Sequence, residues 1–262
     1  MTKPRLAVYK FTSCDGCQLA LLNAGEAFFL LSDLVEIVHF AEAGMLDPEA
    51  KVDIVFIEGS ISTPDEITRI KKIRESATHL ITIGACATAG GVQALRNAAS
   101  KDEWVAGIYA NPSTIQALAT STPIAQHVKV DWELWGCPVN THQILSTIRS
   151  LLSGASPKIS RDAVCIECKR RGLVCVMVTR KEPCMGPVTQ TGCGALCPGM
   201  GRACYACYGP SENPNTHALG VLFQKNGLSN SAIVNQFLHI NNQAPAFKQA
   251  GTQFKGINIV KE

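Results

Sequence analysis

Arg5-Leu-Ala-Val-Tyr-Lys10, followed at once by Phe11-Thr-Ser-Cys-Asp-Gly-Cys17, is the stretch that decides the fold. The first six residues read as a short buried strand, the next seven as a turn, and Gln18–Leu31 as a packed helix. The same unit then repeats. Val35–Phe40 reads as a second strand and Val52–Ile57 as a third, ending in Glu58-Gly59-Ser60. Pro64 suits the first turn of a helix, with Thr63 as its cap and Glu66 close behind. Ile67, Ile70 and Ile73 fall on one face of that helix. His79–Ile83 reads as a fourth strand, closed by Gly84-Ala-Cys86-Ala-Thr-Ala-Gly-Gly91 and a helix to about Ala99. Val128–Trp132 reads as a fifth, reaching Trp135-Gly-Cys-Pro138 through a short loop before a helix over Thr141–Leu152.

Strands alternating with helices predict an α/β domain: a mainly parallel sheet with helices on both faces. Such sheets bind ligands outside the carboxyl ends of their strands, where the strand order reverses. Four cysteines obey that rule. Cys14 and Cys17 follow strand one, Cys86 follows strand four and Cys137 follows strand five. Gly16, Gly84, Gly90, Gly91, Gly136 and Pro138 stand beside them, and glycine permits close backbone approach. A lone cysteine in such a place is often a small buried core residue. Four at strand ends, two of them as Cys-x-x-Cys, are not explained that way. A thioredoxin-type dithiol at Cys14 and Cys17 would leave Cys86 and Cys137 without a role. No nucleotide-phosphate fingerprint occurs at strand one.

Beyond a linker-like stretch, Ser153-Gly-Ala-Ser-Pro-Lys158, the composition changes. Eight of the chain's 12 cysteines fall between Cys165 and Cys207: Cys165, Cys168, Cys175, Cys184, Cys193, Cys197, Cys204 and Cys207. They make two four-ligand sites if they bind metal, or four disulfides if they are oxidised. Paired Cys-x-x-Cys motifs among eight thiols also suit structural zinc. The domains are therefore expected at 1–155 and 156–262, the second loop-rich. Leu219, Val221, Leu222 and Phe223, with Ile233, Val234, Phe237 and Leu238, suggest helices packing on the second domain or on a partner.

The 262 residues are 46% hydrophobic and 17% charged, as for a globular protein, with a formal charge of +3. Basic runs such as Lys169-Arg170-Arg171 are short, and nothing points to nucleic acid. The N-terminus enters a strand directly, without a secretory apolar region or a twin-arginine pair, and no apolar run is long enough to span a membrane. The expected location is cytoplasmic, where thiols stay reduced and metal ligation is favoured over disulfides.

Taken in order, Cys14-Asp-Gly-Cys17, Glu58-Gly59, the glycine-rich segment around Cys86 and Gly136-Cys-Pro138 resemble the small subunit of nickel–iron hydrogenases. The resemblance covers nearly the whole chain. It implies a flavodoxin-like first domain holding a proximal 4Fe–4S cluster through Cys14, Cys17, Cys86 and Cys137. Glu58 then lies close to that cluster and to the large-subunit interface, whereas read alone it is a capping or surface carboxylate. The family's order assigns Cys165, Cys168, Cys175 and Cys184 to a distal cluster and Cys193, Cys197, Cys204 and Cys207 to a medial one, the alternative pairing staying open. The best-known members have histidine where Cys165 stands and often a three-iron medial cluster, so Cys165 and Cys197 imply two all-cysteine 4Fe–4S clusters. Three such clusters, at roughly −2 each, would turn the net charge to about −3.

Ser13 stands where many membrane-bound and periplasmic hydrogenases have glutamate, which points to a different branch. The related quinone-reductase subunit of respiratory complex I has adjacent cysteines at its first motif, whereas Asp15 and Gly16 separate Cys14 from Cys17. The resemblance thus favours a cytoplasmic hydrogenase, with the sulfhydrogenase delta subunit as a relative. It implies no catalytic residue in this chain. It also implies three clusters in series, a large subunit carrying the nickel–iron site, and flavin and iron–sulfur partners using NAD(P) or a deazaflavin. The other readings are a quinone-reductase-like subunit and a zinc-stabilised interaction protein.

Overall fold

Apolar residues in unbroken runs make strands that are buried on both faces, and the first half of the chain is built on them. The computed structural model describes residues 3–47 and 51–256. β1 (Arg5–Lys10), β2 (Glu36–Phe40), β3 (Val52–Glu58), β4 (Ala77–Ile83) and β5 (Trp132–Leu134) form one parallel sheet in the order β2-β1-β3-β4-β5. This is the flavodoxin-like order, with its reversal between β1 and β3. Alternation along each strand separates two cores. Leu6, Val8, Ile54, Phe56, Ile81 and Ile83 face one side, under α1 (Gly16–Leu22), α2 (Glu26–Leu34) and α6 (Thr141–Leu152). Ala7, Tyr9, Val55, Ile57 and Leu80 face the other, under α3 (Pro64–Ser76) and α4 (Gly84–Ala89).

Local chemistry accounts for where the elements begin and end. The Glu66 carboxylate accepts the backbone N–H groups of Ser62 (2.7 Å) and Thr63 (3.0 Å), which fixes the start of α3. Asn140 caps α6 through the N–H groups of His142 and Gln143. At the far end of α3, Arg74 pairs with Asp131 at 2.7 Å, and Asp131 also accepts the Leu80 N–H at 2.8 Å. That bridge fastens the approach to β5 onto β4.

The expected helix over 18–31 is two helices, because Gly25 adopts φ 59° and ends one before the other begins. The expected turn at 84–91 is largely helical: α4 carries Cys86 in its middle and stops at the left-handed Gly90. The segment after it, Val92–Ala98, is 3-10 rather than α. β5 starts where the expected strand ended. Val128 and Val130 pack into the core but lie outside the strand pairing. α5 (Lys101–Ile108) was not expected at all.

Two compact units divide the chain, Met1–Ile159 and Ser160–Glu262. In the second, α7 (Val164–Arg170), α8 (Val176–Arg180) and α9 (Leu196–Gly199) are short and separated by turns. α10 (Thr216–Lys225), α11 (Asn230–Phe237) and α12 (Pro245–Gly256) follow, and their buried Phe223, Phe237, Phe247 and Phe254 form an aromatic core. Phe237 stacks on Phe254 with centroids 6.3 Å apart. Gly220 of α10 lies flat against the Phe254 ring, where a Cβ would collide with the ring carbons. Alanine there gains about 1 kcal/mol of helix propensity but overpacks the core, which costs about 1–3 kcal/mol. Gly220→Ala is therefore expected to lower the urea midpoint of the second unit's unfolding; an unchanged or raised midpoint would contradict this packing.

Candidate functional site

Parallel register brings the strand ends into line. Lys10 of β1 pairs with Glu58 of β3, Glu58 with Ile83 of β4, and Ile83 with Leu134 of β5. Just past that row come Cys14 and Cys17, Cys86 and Cys137. The Cys14 loop is pinned to the end of β3 by the Phe11 N–H on the Glu58 carbonyl (2.8 Å) and by paired bonds between Thr12 and Ser60. Asp15 turns the chain into α1 with φ 64° and accepts the Lys10 ammonium at 2.7 Å. Cys86 and Cys17 are buried, Cys14 and Cys137 exposed. The Ala85 N–H donates to the Gly136 carbonyl at 2.7 Å, which ties the Cys86 segment to the Cys137 segment.

Glu58 is buried beneath this group, 2% exposed, and is no surface carboxylate. Its Oε1 accepts the Cys17 N–H at 3.0 Å and its Oε2 the Gln18 N–H at 3.2 Å. Burial pushes its pKa up, and these hydrogen bonds hold it partly down. The thiols feel one another. Burial pushes the Cys86 thiol up to about 12, with Cys137 and Cys14 adding to the rise. Burial and then the Glu58 charge raise Cys17, and burial followed by Cys14 and Glu58 raises Cys137. Without a cation these groups resist ionising together; a bound metal centre reverses that preference.

Glycine gives the sulfurs their space. A Cβ at Gly84, where φ is 84°, would collide with the Cys17 sulfur, and one at Gly91 would stand 2.5 Å from the Cys86 sulfur. At Gly16 it would touch the Cys14 sulfur at 3.4 Å. Soft thiol donors around a cradle kept open by missing side chains fit an iron–sulfur group. Among the described residues, no three His, Cys, Asp or Glu side chains meet closely enough to hold a single metal ion. All 12 cysteines are unbridged, so the disulfide alternative finds no pair here.

In the second unit, α7 carries Cys165 and Cys168, and Cys175 stands just before the first turn of α8. Burial, and then Cys184, Cys168 and Cys175, push the Cys165 thiol up to about 11. Gly186 leaves room between sulfurs, its Cβ position lying 3.4 Å from Cys184 Sγ and 3.6 Å from Cys165 Sγ. Cys193 is raised by burial and feels Cys197, while Cys204 is raised by burial and feels Cys184 and Cys207. The two sets also touch, since the Cys204 N–H donates to the Cys184 sulfur at 3.2 Å.

Three polar residues in this unit had no motif to announce them. Asn241, 2% exposed, donates from Nδ2 to the carbonyl of Ala206 at 2.7 Å, and Ala206 is a left-handed residue between Cys204 and Cys207. Gln190 holds the Tyr208 carbonyl at 2.6 Å. Glu167, between Cys165 and Cys168, accepts the N–H groups of Gly192 (3.0 Å) and Ala195 (2.9 Å). The one hint available in sequence was the position of Glu167 inside a Cys-x-x-Cys.

A doubly wound sheet with cysteines at its strand ends, followed by a cysteine-dense unit, fits a subunit that carries metal–sulfur centres. Residues 14–151 match the family described as NADH ubiquinone oxidoreductase, 20 Kd subunit, and the chain belongs to that family. Sulfhydrogenase 2 subunit delta of Pyrococcus furiosus is 32% identical over 211 residues, spanning 80% of this chain and 88% of its own length. Two solved structures share the fold. One is an NAD+-reducing [NiFe]-hydrogenase, with TM-score 0.55, 24% identity, and coverage of 60% of this chain and 95% of that one. The other is an actinobacterial-type NiFe-hydrogenase from Ralstonia eutropha H16, with TM-score 0.58, 16% identity, and coverage of 97% and 90%. The resemblance to hydrogenase small subunits and the flavodoxin-like α/β fold are both borne out.

Removing the Glu58 acceptor strands two buried N–H groups, each worth about 1–3 kcal/mol. Glu58→Ala is expected to lower the unfolding free energy of the first unit in urea by about 2–6 kcal/mol, and Glu58→Gln, which keeps one acceptor oxygen, by less. Equal losses in the two variants would show that the hydrogen bonds are not what Glu58 contributes.

Proposed function

We propose that this chain is the electron-relay small subunit of a nickel–iron hydrogenase, with three 4Fe–4S clusters linking a large subunit's nickel–iron site to a further redox subunit. The observation that carries the reading is the gathering of Cys14, Cys17, Cys86 and Cys137 with buried Glu58 at the carboxyl ends of β1, β3, β4 and β5. These four cysteines would hold the proximal cluster in residues 1–155. In residues 156–262, Cys165, Cys168, Cys175 and Cys184 would hold the distal cluster, and Cys193, Cys197, Cys204 and Cys207 the medial one. Cys165 and Cys168 feel Cys184 and Cys175 ahead of any thiol of the other set, which favours that partition; Cys168 with Cys193, and Cys204 with Cys184, are where the two sets meet.

A 4Fe–4S cluster, when bound, supplies a one-electron redox centre with a potential set by charge, burial and hydrogen bonds to sulfur. The protein's own part is to orient and shield. Glu58 fixes the Cys17 backbone, Gly84 and Gly91 keep side chains off the sulfurs, and the Cys204 N–H stabilises charge on Cys184. No residue of this chain is assigned to breaking dihydrogen.

The partners we infer are a large subunit carrying the nickel–iron site, and flavin or iron–sulfur subunits using NAD(P) or a deazaflavin. The solved NAD+-reducing hydrogenase, similar over 60% of this chain, supports the nicotinamide route. Among the described residues no helix is long and apolar enough to cross a membrane, and we place the complex in the cytoplasm. The family's name keeps a quinone-reductase-like role in view. Against it stand the separation of Cys14 from Cys17 and the eight further thiols.

Metal analysis of anaerobically purified protein is expected to give about twelve irons and matching sulfide per chain. Zinc in place of iron in the second unit would replace the relay with a structural role. In the complex, Cys197→Ser should alter the medial cluster's electron paramagnetic resonance alone; a change confined to the signal that Cys165→Ser disturbs would reverse the partition.

A further inference from the structure

Glu167 and Arg171 stand one helical turn apart, Glu167 inside α7 and Arg171 at its end, and both reach the loop that carries Cys193. Glu167 Oε1 accepts the Gly192 N–H at 3.0 Å, and Oε2 accepts the Ala195 N–H at 2.9 Å while lying 3.9 Å from Cys193 Sγ. Arg171 Nη1 donates to the carbonyls of Gly194 and, at 3.4 Å, Ala195. The loop needs such support. Gly192, Gly194 and Ala195 all have positive φ (137°, 65° and 52°), and alanine adopts that conformation at a cost. Carboxylate and guanidinium thus grip opposite polar edges of one short segment. The carboxylate also stands beside a sulfur and competes for the Ala195 N–H, which Cys193 Sγ shares.

We propose that Glu167 and Arg171 are a positioning pair that holds the Cys193 loop and sets the reduction potential of the cluster bound there, the carboxylate lowering it and the guanidinium raising it. This rests on the reading that Cys193 is a cluster ligand. A negative charge beside the sulfur favours the oxidised cluster, and a positive charge favours the reduced one. Removing either charge loosens the same loop, so a purely mechanical role moves the potential in one direction for both variants. An electrostatic role moves it in opposite directions.

The experiment is a potentiometric titration, followed by electron paramagnetic resonance, of the whole complex carrying Glu167→Gln or Arg171→Gln. The relevant signal is the one that Cys193→Ser alters. Glu167→Gln is expected to shift its midpoint upward and Arg171→Gln downward, with the signal altered by Cys14→Ser unmoved. Shifts of the same sign, no shift, or a shift of the Cys14-linked signal would overturn the proposal. If Glu167→Gln lowers the iron content, Arg171→Gln is set against Arg171→Lys, which keeps the charge and loses the two-carbonyl fork: a fall in the glutamine variant alone supports the pair, and equal shifts, a rise or no change overturn it. Zinc in the unmodified chain would overturn the cluster reading itself, and iron analysis shows this before any variant is made.

Discussion

Everything at the strand-end site depends on one row of backbone pairing. Lys10, Glu58, Ile83 and Leu134 lie side by side across four parallel strands, so whatever follows each of them emerges at the same edge. Parallel pairing makes this possible, because every strand then ends on the same side of the sheet. A slip of one residue in β3 would turn Glu58 to the opposite face and leave the Cys17 and Gln18 N–H groups without their acceptor. Ile54 and Phe56 belong to one core, Val55 and Ile57 to the other, so the same slip would exchange the side chains packed in each.

The two units use different means to bring thiols together. In the first, residues far apart in sequence meet because a sheet with two buried faces puts them there, and the loops need only glycine, a few backbone bonds and the one carboxylate of Glu58. In the second, the cysteines are close in sequence but the backbone between them is irregular, and polar side chains keep it in shape. Glu167, Gln190 and Asn241 each satisfy backbone groups beside a cysteine-bearing turn. This division matches the regular structure available: strands of up to seven residues in one unit, helices as short as four around the cysteines of the other.

The same division explains what could be read from sequence. β1, β3 and α6 were legible because an apolar run, or a cap followed by an amphipathic period, is a local signal. The strand-end cysteines were legible because the position of a strand end fixes theirs. β5 was misplaced because Val128 and Val130 are core residues without being paired strand residues, and apolar alternation does not separate the two. The break at Gly25 was hidden inside an apolar stretch that suited one helix as well as two. The contacts of Glu167 and Asn241 span at least 25 residues, and no window of local pattern contains both partners.

The backbone bond from Cys204 to the sulfur of Cys184 has a consequence for how the second unit matures. One residue of each cysteine set takes part in it. Under the proposed partition, the wall between the two centres would be common to both, and a centre bound to one set would fix Cys184 or Cys204 and so shape a face of the other.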